Sequence, residues 1–206
     1  MHMQNASLRR AVIVSVALAL ALACPRQRPL RMIFNQGTYG SSANYSELHH
    51  SDFFGGVHQM SDDFVLDPDN ATITTVQWWG VYRDNVAADD EFTVFVYEIY
   101  DDPGAPLSHP WYEFTSTAVE REATGGTLRW GLDDLNIYRY SIGIPDGEFE
   151  PDRPYALSIV NDTGRWAWLV NGSPAQGNNL GWSRTERYGD WSTNAIDNAF
   201  ILWSNR

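Results

Sequence analysis

Residues 71–82 read Ala71-Thr72-Ile73-Thr74-Thr75-Val76-Gln77-Trp78-Trp79-Gly80-Val81-Tyr82. β-branched and aromatic residues dominate this stretch, and no convincing amphipathic helix runs through it. It therefore reads as a strand, with successive side chains on opposite faces. One set is Thr74, Val76, Trp78, Gly80 and Tyr82; the other is Ile73, Thr75, Gln77, Trp79 and Val81. Thr75 and Gln77 suit a wetter face, so Trp78 is expected inward and Trp79 outward.

The same signature recurs along the chain. Further strands are expected at Met32–Asn35, Val57–Leu66, Glu91–Tyr100, Trp111–Val119 and Tyr138–Ile144. Others are expected at Tyr155–Val160, Arg165–Val170, Asn179–Ser183 and Ala199–Trp203. Turn signals separate them, such as Asp67-Pro68-Asp69-Asn70, Thr124-Gly125-Gly126 and Pro145-Asp146-Gly147. No amphipathic helix is evident. About ten short strands with regular turns predict an all-β fold: one antiparallel β-sandwich, jelly-roll-like, over residues 32–206.

The composition fits. The chain has 206 residues, 43% hydrophobic and 19% charged, as expected of a folded domain. Nine Trp, ten Tyr and nine Phe supply core material. Burying one ring removes ~150–250 Å² from water. The core can therefore form without disulfides, and the lone Cys24 permits none within the chain. The net charge of −12 argues against nucleic acid and anionic membrane surfaces as partners. All 14 basic residues are Arg.

The N-terminus carries a targeting pattern. Arg9 and Arg10 precede the uncharged run Ala11–Ala23. Thirteen residues are too few to cross a bilayer but suit the apolar region of a signal peptide, here residues 1–23. Ala21-Leu22-Ala23-Cys24 resembles a bacterial lipobox, with Ala21 where Leu is commoner. Lipidation of Cys24 is expected, with 24–31 as a tether. Ala-Leu-Ala also satisfies ordinary cleavage after Ala23. The expected location is exported, lipid-anchored in the cell envelope or secreted, with membrane contact only through the anchor.

Several motifs form an ordered series: Ser61-Asp62-Asp63-Phe64-Val65-Leu66, Val76–Tyr82, Phe92–Tyr97, Asp102-Pro103-Gly104-Ala105-Pro106-Leu107, Tyr155–Ile159, Trp166-Ala167-Trp168 and Asp197–Leu202. The series resembles secreted bacterial β-sandwich domains of uncharacterised function, often found in exported proteins of the PEP-CTERM type. The resemblance covers about residues 32–204 and implies a fold and a compartment, but no catalytic residues. This chain differs in ending at Asn205-Arg206 without the sorting tail, which fits an N-terminal lipid or release.

For function, the expected site is an outward aromatic platform. Phe92, Val94 and Val96 form the apolar set of the strand after Val81-Tyr82, leaving Phe95 and Tyr97 opposite. If the two strands pair, Trp79, Phe95 and Tyr97 share one outer surface with Gln77. Flat rings stack on sugars while amides bond their hydroxyls, so a glycan is the expected ligand. The alternative is that a loop such as 36–56 covers the rings. A structural role in the envelope without a small ligand is the next reading, and a glycan-acting enzyme the third. Glu98, Glu113 and Glu120 could serve the enzyme, yet no nucleophile elbow, zinc-protease or phosphate-loop motif is present.

No organic cofactor is implied. Asp62, Asp63 and Asp197 lie beside strands near the two chain ends, which a sandwich can bring together, and calcium takes six to eight oxygens. A structural calcium is one expectation for them; capping of backbone N–H groups by Asp62 and Asp63 is the other. His49, His50, Asp52 and His58 match no metal motif.

Overall fold

The computed structural model describes residues 28–39, 49–50, 59–82, 85, 90–100, 104–161, 166–172, 180–185, 188–195 and 197–206. Among these are thirteen strands and no helix. In chain order they are β1 (Arg31–Asn35), β2 (His49–His50), β3 (Gln59–Val65), β4 (Thr72–Tyr82), β5 (Phe92–Glu98), β6 (Tyr112–Ser116) and β7 (Glu120–Trp130). Then follow β8 (Asp133–Glu148), β9 (Pro154–Asn161), β10 (Trp166–Trp168), β11 (Gly181–Arg184), β12 (Ser192–Asn194) and β13 (Phe200–Ser204).

Two antiparallel sheets form a β-sandwich. The first, of seven strands, is built on β4. β8 takes one edge of β4, with β7 beyond it. β13 and then β10 share the other edge, leading to β1 and β2. The second sheet runs β12-β11-β3-β9-β5-β6.

The core lies between the sheets. From β4, Val76, Trp78 and Tyr82 point into it, as the alternation requires. They meet Phe92, Val94 and Val96 of β5 with Phe64, Leu157 and Ile159 of their own sheet. The Trp78 ring stacks on Tyr140 with centroids 5.6 Å apart and meets Phe92 edge-on at 5.1 Å. Both are favourable quadrupole geometries. Ile73 also enters this core, against the expectation for its set. The register against β8 slips between Ile73 and Thr75, and such a bulge turns one side chain to the other face.

A second correction concerns the β7–β8 hairpin. Thr124-Gly125-Gly126 is no turn: it is an irregularity inside β7, with Gly125 at a φ of 78°. The chain reverses at Gly131-Leu132, between the paired Trp130 and Asp133. Gly131 has a φ of 61°, and a two-residue hairpin loop of this kind needs such a backbone.

Candidate functional site

The expected platform does not form. Trp79 does face outward from β4, but β4 and β5 lie in different sheets. Both edges of β4 are occupied by β8, β13 and β10, and both edges of β5 by β6 and β9. Trp79 with Gln77 and Phe95 with Tyr97 are therefore on opposite outer faces of the sandwich. Both groups are also covered. Trp79 is only 5% exposed, within a small outer core of Val81, Leu128, Leu135, Ile137 and Ile201. The Tyr39 ring lies 6.3 Å from it, while residues 40–48 lie outside the described residues. Gln77 accepts a hydrogen bond from the Trp203 indole at 3.0 Å.

On the other face Tyr97 belongs to a buried polar network around Arg184. The guanidinium donates to Gln59 Oε1 at 2.8 Å, to the Tyr97 hydroxyl at 2.8 Å and to the Ser108 carbonyl at 2.9 Å. It lies 4.3 Å from the Trp191 ring centroid and 5.0 Å from that of Tyr97. Cation–π attraction is strongest in such water-poor settings. Sequence reading missed Arg184.

Water-exposed rings sit elsewhere. Tyr100, Trp111 and Tyr188 are 55%, 48% and 53% exposed. They lie along or against the segment joining β5 to β6. Leu107 N–H donates to the Glu98 carbonyl, and Trp111 N–H to the Val96 carbonyl. The Trp191 indole bonds the Leu107 carbonyl at 3.2 Å. Tyr188 packs on His109 at 4.9 Å, and Trp111 on Phe149 at 5.2 Å. Arg153 sits under Tyr100 at 5.4 Å and pairs with Glu98 and Glu150. The rings are thus held from behind while one face stays wet. Tyr100 and Trp111 stand at the ends of two expected strands, but β5 stops at Glu98 and β6 starts at Tyr112, and Tyr188 lies in no strand, so alternation does not mark the three as exposed.

The carboxylates considered for glycosidase chemistry do not converge. Glu98 is engaged by Arg153 at 3.2 Å. Glu113 is on β6 and Glu120 on β7, in different sheets.

Asp62, Asp63 and Asp197 do converge. One carboxylate oxygen of each lies within 4.8 Å of the others. β3 supplies the first pair, with Asp62 between Leu157 of β9 and Gly181 of β11. Asp197 comes from the segment entering β13 in the opposite sheet. Asp62 is wholly buried and Asp197 nearly so. Asp62 accepts backbone N–H bonds from Asp63 beside it at 2.9 Å and from Asn198 of the segment entering β13, so it does bond backbone N–H groups as expected. The Gln36 Nε2 stands 3.5 Å from Asp62 Oδ1. Burial, then the Asp197 and Asp63 charges, push Asp62 well above the usual carboxylate range. Burial raises Asp197 as well.

Cys24 and residues 1–23 lie outside the described residues, as do Asp52, His58 and the side chains of His49 and His50. Comparison with known proteins gives no match to a family model, to a curated protein or to a solved structure.

Proposed function

We propose that the protein is an exported, non-catalytic binding module that takes glycans on the ring-lined edge beside β6. The observation that carries this reading is the exposure of about half the surface of Tyr100 and Trp111, on the bonded segment joining β5 to β6, and of Tyr188 packed against it. Most other rings among the described residues are packed away. A flat ring fixed from behind loses little conformational freedom on binding, and the apolar face of a pyranose can dry it. Arg153, Glu98 and Glu150 supply donors and acceptors beside the rings for sugar hydroxyls. The acidic net charge favours neutral rather than polyanionic glycans.

Glycan-array binding followed by titration of the full chain tests this. Trp111→Ala and Tyr188→Ala should each weaken binding about tenfold, equivalent to about 1.4 kcal/mol. Their melting temperatures should stay close to wild type. Trp79→Ala should instead lower stability without changing affinity in the folded protein. Absence of any bound glycan, or binding indifferent to Trp111, would defeat the reading. Retention by envelope proteins alone would then favour a structural or adhesion role. Release of reducing ends from a polysaccharide would favour an enzyme.

Export rests on the leader pattern and on the resemblance to exported domains. Mass spectrometry of the membrane fraction should find the mature N-terminus at a diacylglycerol-modified Cys24. A bare N-terminal Cys24 would remove the anchor.

A further inference from the structure

We propose that Asp62, Asp63, Asp197 and Gln36 form a calcium site that fastens β3 of one sheet to the segment entering β13 of the other. The inference is independent of glycan binding.

Spacing is the first argument. Calcium holds its oxygens at 2.3–2.6 Å, so two ligands of one ion are at most ~5 Å apart. The three carboxylates meet that limit, at 4.8 Å or less. They come from distant parts of the chain, so folding assembles the group.

The second argument comes from Gln36, which is not an acid. It is wholly buried, and its amide head points at Asp62 from 3.5 Å, long for a good hydrogen bond. Its Oε1 has no hydrogen-bond partner. The two ends of an amide are interchangeable by a simple flip. Turned over, Gln36 presents an uncommitted oxygen to the carboxylates, a normal calcium ligand.

The third argument is the state of Asp197. It is 5% exposed, and neither carboxylate oxygen makes a hydrogen bond. Asp62 and Asp63 stand beside it, so three carboxylates share one largely buried spot within 4.8 Å. A buried ionised carboxylate beside two others, faced only by the neutral Gln36 amide, is costly. A divalent ion at the centre turns these repulsions into attractions.

The donor set selects the metal. It holds only oxygen ligands, with no His or Cys in the group among the described residues, which disfavours zinc and copper. Magnesium demands a strict octahedron at shorter distances and keeps its water. A buried set drawn from three separated segments suits the larger, more tolerant calcium.

The test is thermal melting of the full chain after EGTA treatment, with and without 1 mM CaCl2. At about 100 times Kd, calcium should raise the midpoint by roughly 5–10 °C. An equal concentration of MgCl2 should raise it far less. Terbium should replace calcium and show Trp-sensitised emission, since Trp182 pairs with Ser61 and Trp168 bonds the Ala199 carbonyl. Asp197→Asn should abolish both responses. Asp63→Asn is the second variant, in case the first does not fold, and should weaken both. Midpoints within 1 °C in EGTA and calcium, with no terbium emission, overturn the site. So does a full calcium response in a folded Asp197→Asn protein.

Discussion

Gly80→Ala is expected to destabilise the protein by about 3 kcal/mol or more, at the upper end of overpacking costs. The backbone of β4 at Gly80 is ordinary strand, so the requirement is space rather than an unusual φ. A Cβ placed there would stand 2.1 Å from the Trp166 Nε1 and 2.3 Å from its Cε2. Trp166 cannot move aside easily. It is 1% exposed, edge-on to Phe92 at 5.1 Å and to Tyr140 at 6.0 Å. Nor can β4 retreat, because Gly80 is paired on both sides, with Trp168 and with Tyr138. Urea denaturation of Gly80→Ala, Trp166→Leu and the double variant measures the effect. The double variant should lose at least ~1 kcal/mol less than the sum of the singles, because contacting residues couple. Strict additivity, or a Gly80→Ala loss below ~0.5 kcal/mol, would mean that the Trp166 ring does not lie over Gly80.

The same stretch shows what a sequence can and cannot reveal. Alternation is a local property, so Trp78 inward and Trp79 outward were both legible in residues 71–82. The identity of the neighbouring strand is not local. β4 and β5 follow one another in the chain yet pair with β8, β13 and β10, and with β6 and β9. The supposed ring surface failed at that step, and Trp79 is instead packed against Leu128, Leu135 and Ile137, with Tyr39 of the expected covering loop beside them. β7 was missed for a different reason. Its residues are mostly exposed, so Glu120–Trp130 shows no apolar period, and its Gly125-Gly126 pair resembles a turn. The true reversal at Gly131-Leu132 lacks the usual Asn-Gly signal. The meeting of Asp62 and Asp63 with Asp197 was legible, because acids beside strands at both ends of a sandwich can be drawn together. Gln36 gave no such signal, since an isolated glutamine in a presumed loop has nothing to mark it as buried. Arg184 was illegible for a general reason: arginines are almost always exposed unless paired, and its partners come from four separate segments.

Arg184→Ala should cost about 3–5 kcal/mol, a drop in melting temperature of roughly 6–20 °C. Arg184 is 3% exposed and its guanidinium joins β11 to β3, to β5 and to the segment before β6. Truncation strands Gln59 Oε1 and removes one of two donors to the Tyr97 hydroxyl, leaving it the Gln59 Nε2 alone, and it leaves a cavity between the Tyr97 and Trp191 rings. Each orphaned buried group costs about 1–3 kcal/mol. Arg184→Lys keeps the charge but loses the planar fork that reaches three acceptors in three directions, so it should recover only part of the loss. Arg184→Met fills the cavity while leaving the acceptors unmet, and should fall between Ala and Lys. The Ser108 bond adds a consequence at a distance. Arg184 helps hold the segment that carries Trp111, and Trp191 clamps it at Leu107. Hydrogen exchange at the Leu107 and Trp111 amides should therefore accelerate in Arg184→Lys, even where the protein stays folded. Unchanged protection there, with the stability loss intact, would confine the arginine to the core and detach it from the ring-lined edge.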